Sequence, residues 1–116
     1  DLGWRLAKEI GRLDIGQCVV VGGGSTLAVE AIDGTDETIL RGGKLGNGNA
    51  VVVKVCKPNQ DTRFDIPAVG TRTIETMHAS GARILVVEAG RAIVFNRQEM
   101  IDLADRHDIA VLARKE

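Results

Sequence analysis

The sequence predicts an α/β fold, a three-layer arrangement in which a mixed β-sheet is covered by helices. Two observations carry this. Short apolar runs of strand length (QCVVV, AVVVKVC, IAVLA) alternate with segments whose apolar residues recur at helical spacing. Glycine or proline marks most of the changes of period. With 116 residues, 44% of them hydrophobic, the chain suffices for one domain with one core, and an aromatic share of 3% makes that core aliphatic.

Taken in order, Leu2, Leu6, Ile10 and Leu13 fall near one face of a first helix, with Trp4 off that stripe and Gly16 as the stop. QCVVV and TLAVEAI, on either side of Gly22-Gly23-Gly24-Ser25, read as a hairpin whose turn uses glycines able to take positive φ. The GGGS stretch is not a phosphate loop, because a strand follows it and no Gly-Lys-Ser/Thr does. In DGTDETILRGGKL, Thr35 can cap a short helix and place Asp36 and Glu37 in its first turn, where the helix dipole favours them. AVVVKVC is apolar almost without interruption, as in a strand buried on both faces. A helix through Thr73, Ile74, Met77 and His78 runs from Pro67 to Gly81. ARILVVEAG and RAIVFN then read as a strand pair turning at Gly90-Arg91. A helix with Met100, Leu103 and Ala104 on one face and the strand IAVLA close the chain. The predicted order is αββαβαββαβ.

A formal net charge of -1, from 15 basic and 16 acidic side chains spread along the chain, gives no electrostatic case for nucleic acid. No apolar run approaches the roughly 20 residues of a membrane span, so a cytoplasmic protein with at most peripheral membrane contact is expected. Cys18 and Cys56 each sit in an apolar strand-like run and read as buried free thiols. His78 and His107 have no metal-ligand spacing to each other or to the cysteines.

Two stretches are denser in polar chemistry than a plain scaffold needs. KVCKPNQDTRFDIPAVG (54–70) leaves what reads as a central strand at its carboxyl end, where open α/β sheets place their ligand crevices. Pro58 and Pro67 restrict its backbone, so Asp61 and Asp65 can be held together to share a hard divalent cation such as Mg2+. Lys54, Lys57 and Arg63 are of the kind that neutralises phosphate oxygens, Arg63 with a bidentate fork. Carboxylates for a metal beside cations for phosphate suit metal-assisted hydrolysis of a phosphate ester or anhydride. The alternative is a solvated loop in which Asp61 pairs with Arg63 or a lysine, a pair of small worth. The second stretch, EAIDGTDETI, brings Glu30, Asp33, Gly34, Thr35 and Asp36 to a helix start whose N–H groups can hold phosphate, although capping alone would also explain it.

Together DIGQ (14–17), VEAIDGTD (29–36), K-P-x-Q-D-x-R-F-D-x-P-x-V-G within 54–70 and TIETM (73–77) resemble the carboxyl-terminal half of one family. It is the UDP-2,3-diacylglucosamine pyrophosphatases of lipid A biosynthesis, of the former domain-of-unknown-function type. The resemblance implies hydrolysis of that lipid-linked UDP-sugar to UMP and 2,3-diacylglucosamine 1-phosphate (lipid X), with Mg2+ or another divalent cation as cofactor. Residues 1–116 would then be a single domain, the carboxyl-terminal catalytic half of a two-domain parent whose amino-terminal half is absent, working in the cytoplasm at the inner face of the inner membrane.

Carried onto this chain, the resemblance assigns Asp61, Asp65 and Gln60 to catalysis and Asp61, Asp65 and Asp36 to the metal. It assigns Lys54, Lys57, Arg63, Thr35 and Gly34 to the substrate. The partners it implies are the lipid-linked substrate and the amino-terminal domain, with a homo-oligomer a further expectation. A competing expectation is that the isolated domain is a non-catalytic ligand-binding or oligomerisation module. In a third, it is a structural α/β domain whose loop is only solvated charge.

Overall fold

Seven strands and four helices follow from the patterning in a computed structural model that describes residues 2–55, 68–88, 93–94 and 97–114. They are α1 (Leu2–Arg12), β1 (Cys18–Gly22), β2 (Ser25–Val29), α2 (Thr35–Gly46), β3 (Val51–Lys54), β4 (Ala68–Val69), α3 (Thr71–Ser80), β5 (Ile84–Glu88), β6 (Ile93–Val94), α4 (Arg97–Arg106) and β7 (Ala110–Arg114). The main sheet has the order β2-β1-β3-β5-β7. β1 is antiparallel to both β2 and β3, whereas β3, β5 and β7 run parallel, so the sheet is mixed.

Alternation along the central strands divides the core between the two faces. Val19, Val53 and Val55 point to α1 and pack with Trp4, Ala7 and Ile10. Cys18, Val20, Val52, Leu85 and Val87 point the other way, onto Ile39 of α2, Ile74 and Met77 of α3, and Met100 and Ala104 of α4. Helices thus cover both faces, giving the three layers expected. Each large aliphatic side chain fully buried here contributes roughly 1.5–3 kcal/mol, so this double-sided packing is the main source of stability. β3 lies at the centre of the sheet with Val52 fully buried and Val53 nearly so, as its unbroken apolar run predicts.

The hairpin turn between β1 and β2 forms at Gly23 and Gly24, whose φ values of 57° and 78° are those of a two-residue primed turn. Elsewhere the structure corrects the reading. α1 buries Gly3, Trp4, Ala7, Ile10 and Gly11, while Leu13 is 53% exposed. The small residues at 3, 7 and 11 bring the helix close to the sheet and turn Trp4 inward. α1 ends before Gly16, with Asp14 in the left-handed region, Ile15 N–H donating to Ile10 O and Asp14 N–H to Gly11 O. Gly16 serves a close approach instead, because a Cβ there would stand 2.2 Å from the carbonyl oxygen of Glu30.

ARILVVEAG and RAIVFN do not form a hairpin. Both edges of β5 are taken, by β3 and β7, and β6 instead pairs in parallel with the two-residue strand β4, which the patterning did not show. The turn expected at Gly90-Arg91 lies outside the described residues.

Candidate functional site

The connections bring the polar motifs to one edge. β3 and β5 are parallel and α3 lies between them in sequence, so α3 starts at the carboxyl end of β3. β2 runs in the same direction as β3, and α2 therefore starts at that edge too. An ion pair joins the two starts, with Arg72 Nε 3.0 Å from Asp36 Oδ2, and Thr76 Oγ1 lies 3.5 Å from Asp36 Oδ1. β3 ends at this edge with Lys54.

Both helices are capped by glycine. Gly34 precedes α2 and Gly70 precedes α3, and no side chain bonds to the first-turn N–H groups of either. Thr35 is therefore not the cap expected. It is the first helical residue, and its hydroxyl donates to Glu30 Oε2 at 3.0 Å. Gly34 has φ 88°, a conformation costly for any residue with a Cβ, so the turn specifies glycine. The result is two adjacent sets of backbone donors without a side-chain cap among the described residues, at the positive ends of two helix dipoles, an arrangement suited to an anion.

Buried polar groups hold this turn from behind. Glu30 is 8% exposed, yet Oε1 accepts from Gln17 N–H at 2.9 Å and Oε2 accepts from Thr35. Asp33 accepts from Ala31 N–H at 3.1 Å and pairs with Arg41 at 2.8 Å. The Arg41 hydrogen bond, then that from Ala31, holds its carboxyl below the usual carboxylate range. Lys54, the last residue of β3, is buried opposite Cys18. Burial pushes the Cys18 thiol up to about 12, with the charge of Glu30 raising it further, Lys54 opposing, and Asp36 adding to the rise. The thiol thus sits behind the polar edge within reach of all three charges and is inert as a nucleophile at neutral pH.

Of the residues predicted from sequence, Gly34, Thr35, Asp36 and Lys54 come together at this edge. Lys57, Gln60, Asp61, Arg63 and Asp65 lie outside the described residues, as does Cys56. The described residues contain no group of three or more His, Cys, Asp or Glu able to hold a metal ion. Asp36 is their one predicted ligand, and it is engaged with Arg72. Sequence reasoning placed Glu30 in the motif without a role and missed Arg72. An acidic residue closing an apolar strand run, as in TLAVE, was the available signal for the first. The second, on an exposed first turn of α3, had none.

Comparison with known proteins bears on the same residues. Residues 1–112 match the family described as the LpxI C-terminal domain. The UDP-2,3-diacylglucosamine pyrophosphatase LpxI of Caulobacter vibrioides is 42% identical over 115 residues, a match that takes in 92% of this chain and 41% of that protein. The chain therefore spans about two fifths of the length of the curated relative it matches. Because the family match runs from α1 to β7, through the glycine-capped helix starts and the polar segment between them, the chain belongs to the LpxI C-terminal domain family.

Proposed function

We propose that this chain supplies one half of an enzyme that hydrolyses the diphosphate of UDP-2,3-diacylglucosamine to UMP and 2,3-diacylglucosamine 1-phosphate. The observation that carries the reading is the pair of glycine-capped helix starts, joined by Asp36 and Arg72, at the carboxyl edge of the central strand. A diphosphate is doubly anionic at neutral pH, and backbone N–H groups at helix starts bind such groups without a counter-charge of their own. The name of the Caulobacter relative supports the choice of substrate, and its greater length supports a second domain in the parent.

In this reading Gly34 and Thr35 present backbone donors to phosphate oxygens, and Lys54 and Lys57 offset their charge. Gln60 and Arg63 hold the diphosphate in place while one P–O bond of the anhydride is replaced by a bond to water oxygen. Asp61 and Asp65 supply the carboxylates that take the proton from that water and bind a divalent cation. Of the three predicted ligands only Asp36 is among the described residues, so a metal site would have to be completed by Asp61 and Asp65, and no step here is routed through it. When bound, Mg2+ would neutralise phosphate charge. The lipid-linked substrate places the enzyme in the cytoplasm, at the inner face of the membrane where its acyl chains reside.

The test is hydrolysis of UDP-2,3-diacylglucosamine by the full-length parent, its Asp61→Ala and Asp65→Ala variants, and this chain alone. Loss of a positioned carboxylate is expected to lower turnover about 10²–10⁴-fold with the fold retained. A parent silent on this substrate, or variants of undiminished rate, would refute the assignment. Activity in the parent with none in the isolated chain would favour the ligand-binding module as the role of this half by itself.

A further inference from the structure

The edge of the sheet opposite the proposed active site carries a second polar concentration. There α3 and α4 end side by side, and a cleft of about 320 Å³ opens between them. It is lined by His78, Gly81, Ala82, Arg83, Arg106, His107, Asp108 and Ile109. A ten-residue helix, about 15 Å long, separates it from the start of α3, so the two sites share no residue named above.

Both helices end in the same motif. Gly81 and Asp108 are left-handed, at φ 89° and 56°. Ala82 N–H donates to Met77 O, and Ile109 N–H donates to Ala104 O, at 3.0 and 2.9 Å. Gly81 and Asp108 N–H groups point at the carbonyls of His78 and Asp105. These bonds engage the carbonyls of Met77 and His78 in α3 and of Ala104 and Asp105 in α4. The backbone of Arg83 is fixed on both sides, its N–H donating to Ala50 O and its carbonyl accepting from Ala110 N–H. Among the described residues neither Arg83 nor Arg106 is paired with a carboxylate.

His78 and His107, which line the same cleft, stack with ring centroids 3.7 Å apart and planes inclined by 15°. Two imidazoles in this contact repel once both are protonated, unless an anion neutralises them. Asp108 is the carboxylate lining the cleft; Glu75 precedes His78 by three residues, Asp105 precedes His107 by two, and Lys44 stands in the last turn of α2. Four groups that are or become cationic therefore face a volume at the small end of the ligand-pocket range. A bare metal ion would leave most of this space empty and would find two arginines in its way.

We propose that this cleft is an anion site, taking a phosphate group of a small ligand on Arg83 and Arg106 beside the imidazole pair. The inference does not depend on the proposed hydrolase activity.

The chain offers a clean readout, since His78 and His107 are its only histidines. Imidazole resonances would be followed by NMR in this chain during titration with inorganic phosphate, at about pH 5.5 and about pH 8. Phosphate is expected to shift the resonances of both rings saturably at each pH. The Arg83→Gln/Arg106→Gln variant should lose the response while keeping its amide spectrum, and Arg106→Gln alone would serve if the pair failed to fold. Rings indifferent to phosphate, an undiminished response in the variant, or a response to Zn2+ in place of phosphate would overturn the proposal.

Discussion

Glu30 shows how much of the candidate site depends on a residue that need not touch substrate. Its two carboxylate oxygens accept from Gln17 N–H and from the Thr35 hydroxyl, tying the start of β1 to the start of α2. Glu30→Ala strands both donors and is expected to destabilise the chain by about 1–3 kcal/mol, measurable by urea unfolding. Gln, which keeps an acceptor, should recover part of the loss. Cys18 makes a second prediction at this scale. Its folded value of about 12 lies above the unfolded thiol's, near 8.5, so the folded state holds its proton where the unfolded state releases it. The associated stability is intact below about pH 8.5 and is lost above it, by up to about 1.4 kcal/mol per pH unit, until the folded thiol ionises. Urea midpoints between about pH 9 and pH 11 should fall more steeply for the wild type than for Cys18→Ala. The buried thiol was legible in the sequence from its apolar neighbours. The role of Glu30 was not, because it arises from a partner 13 residues away meeting it across a turn.

At the scale of elements, α2 is placed by the two glycines in its interior, each of which costs about 1 kcal/mol of helix propensity. A Cβ at Gly42 would stand 2.4 Å from Cβ of Val20, and one at Gly43 would stand 2.2 Å from Oγ of Ser80. α2 thus lies directly on β1 and directly against α3, which keeps Asp36 beside Arg72. Gly42→Ala and Gly43→Ala should each destabilise by about 1–3 kcal/mol despite better propensity, and Ser80→Gly should offset part of the second effect, a coupling that a double-mutant cycle reads. The reverse holds at Asp108, exposed and left-handed, where Asp108→Gly should stabilise by up to about 1 kcal/mol in thermal unfolding. Most elements could be read from period and punctuation. What could not be read was which strand pairs with which. The pairing of β6 with β4 rather than β5 is decided by the occupied edges of β5, which exist only once the sheet is assembled. The inward turn of Trp4 likewise follows from small residues that let α1 approach the sheet, and from Arg114 of β7 lying 4.8 Å over its ring.

Over the whole molecule, the sheet divides chemistry between its two edges. Three parallel strands and their connecting helices direct helix starts to one side and helix ends to the other. The sequence revealed the first side through its GTD turn and its polar loop, but gave no sign of the second, because basic residues in a last helical turn, such as His78 and Arg106, are favoured by the dipole whether or not a ligand is near. On the proposed function, Arg72→Ala in the full-length parent should raise KM for the diphosphate substrate several-fold more than it lowers kcat, as expected for a group that steadies the binding turns and takes no part in the bond change. The confinement of both histidines to the helix ends has a further consequence. On the proposed function, no imidazole from this half reaches the bond change at the other edge, so its share of the pH–rate profile comes from other side chains. An inflection near the imidazole range in the proposed enzyme would therefore trace to a group other than these two histidines, and His78→Gln/His107→Gln would leave it in place.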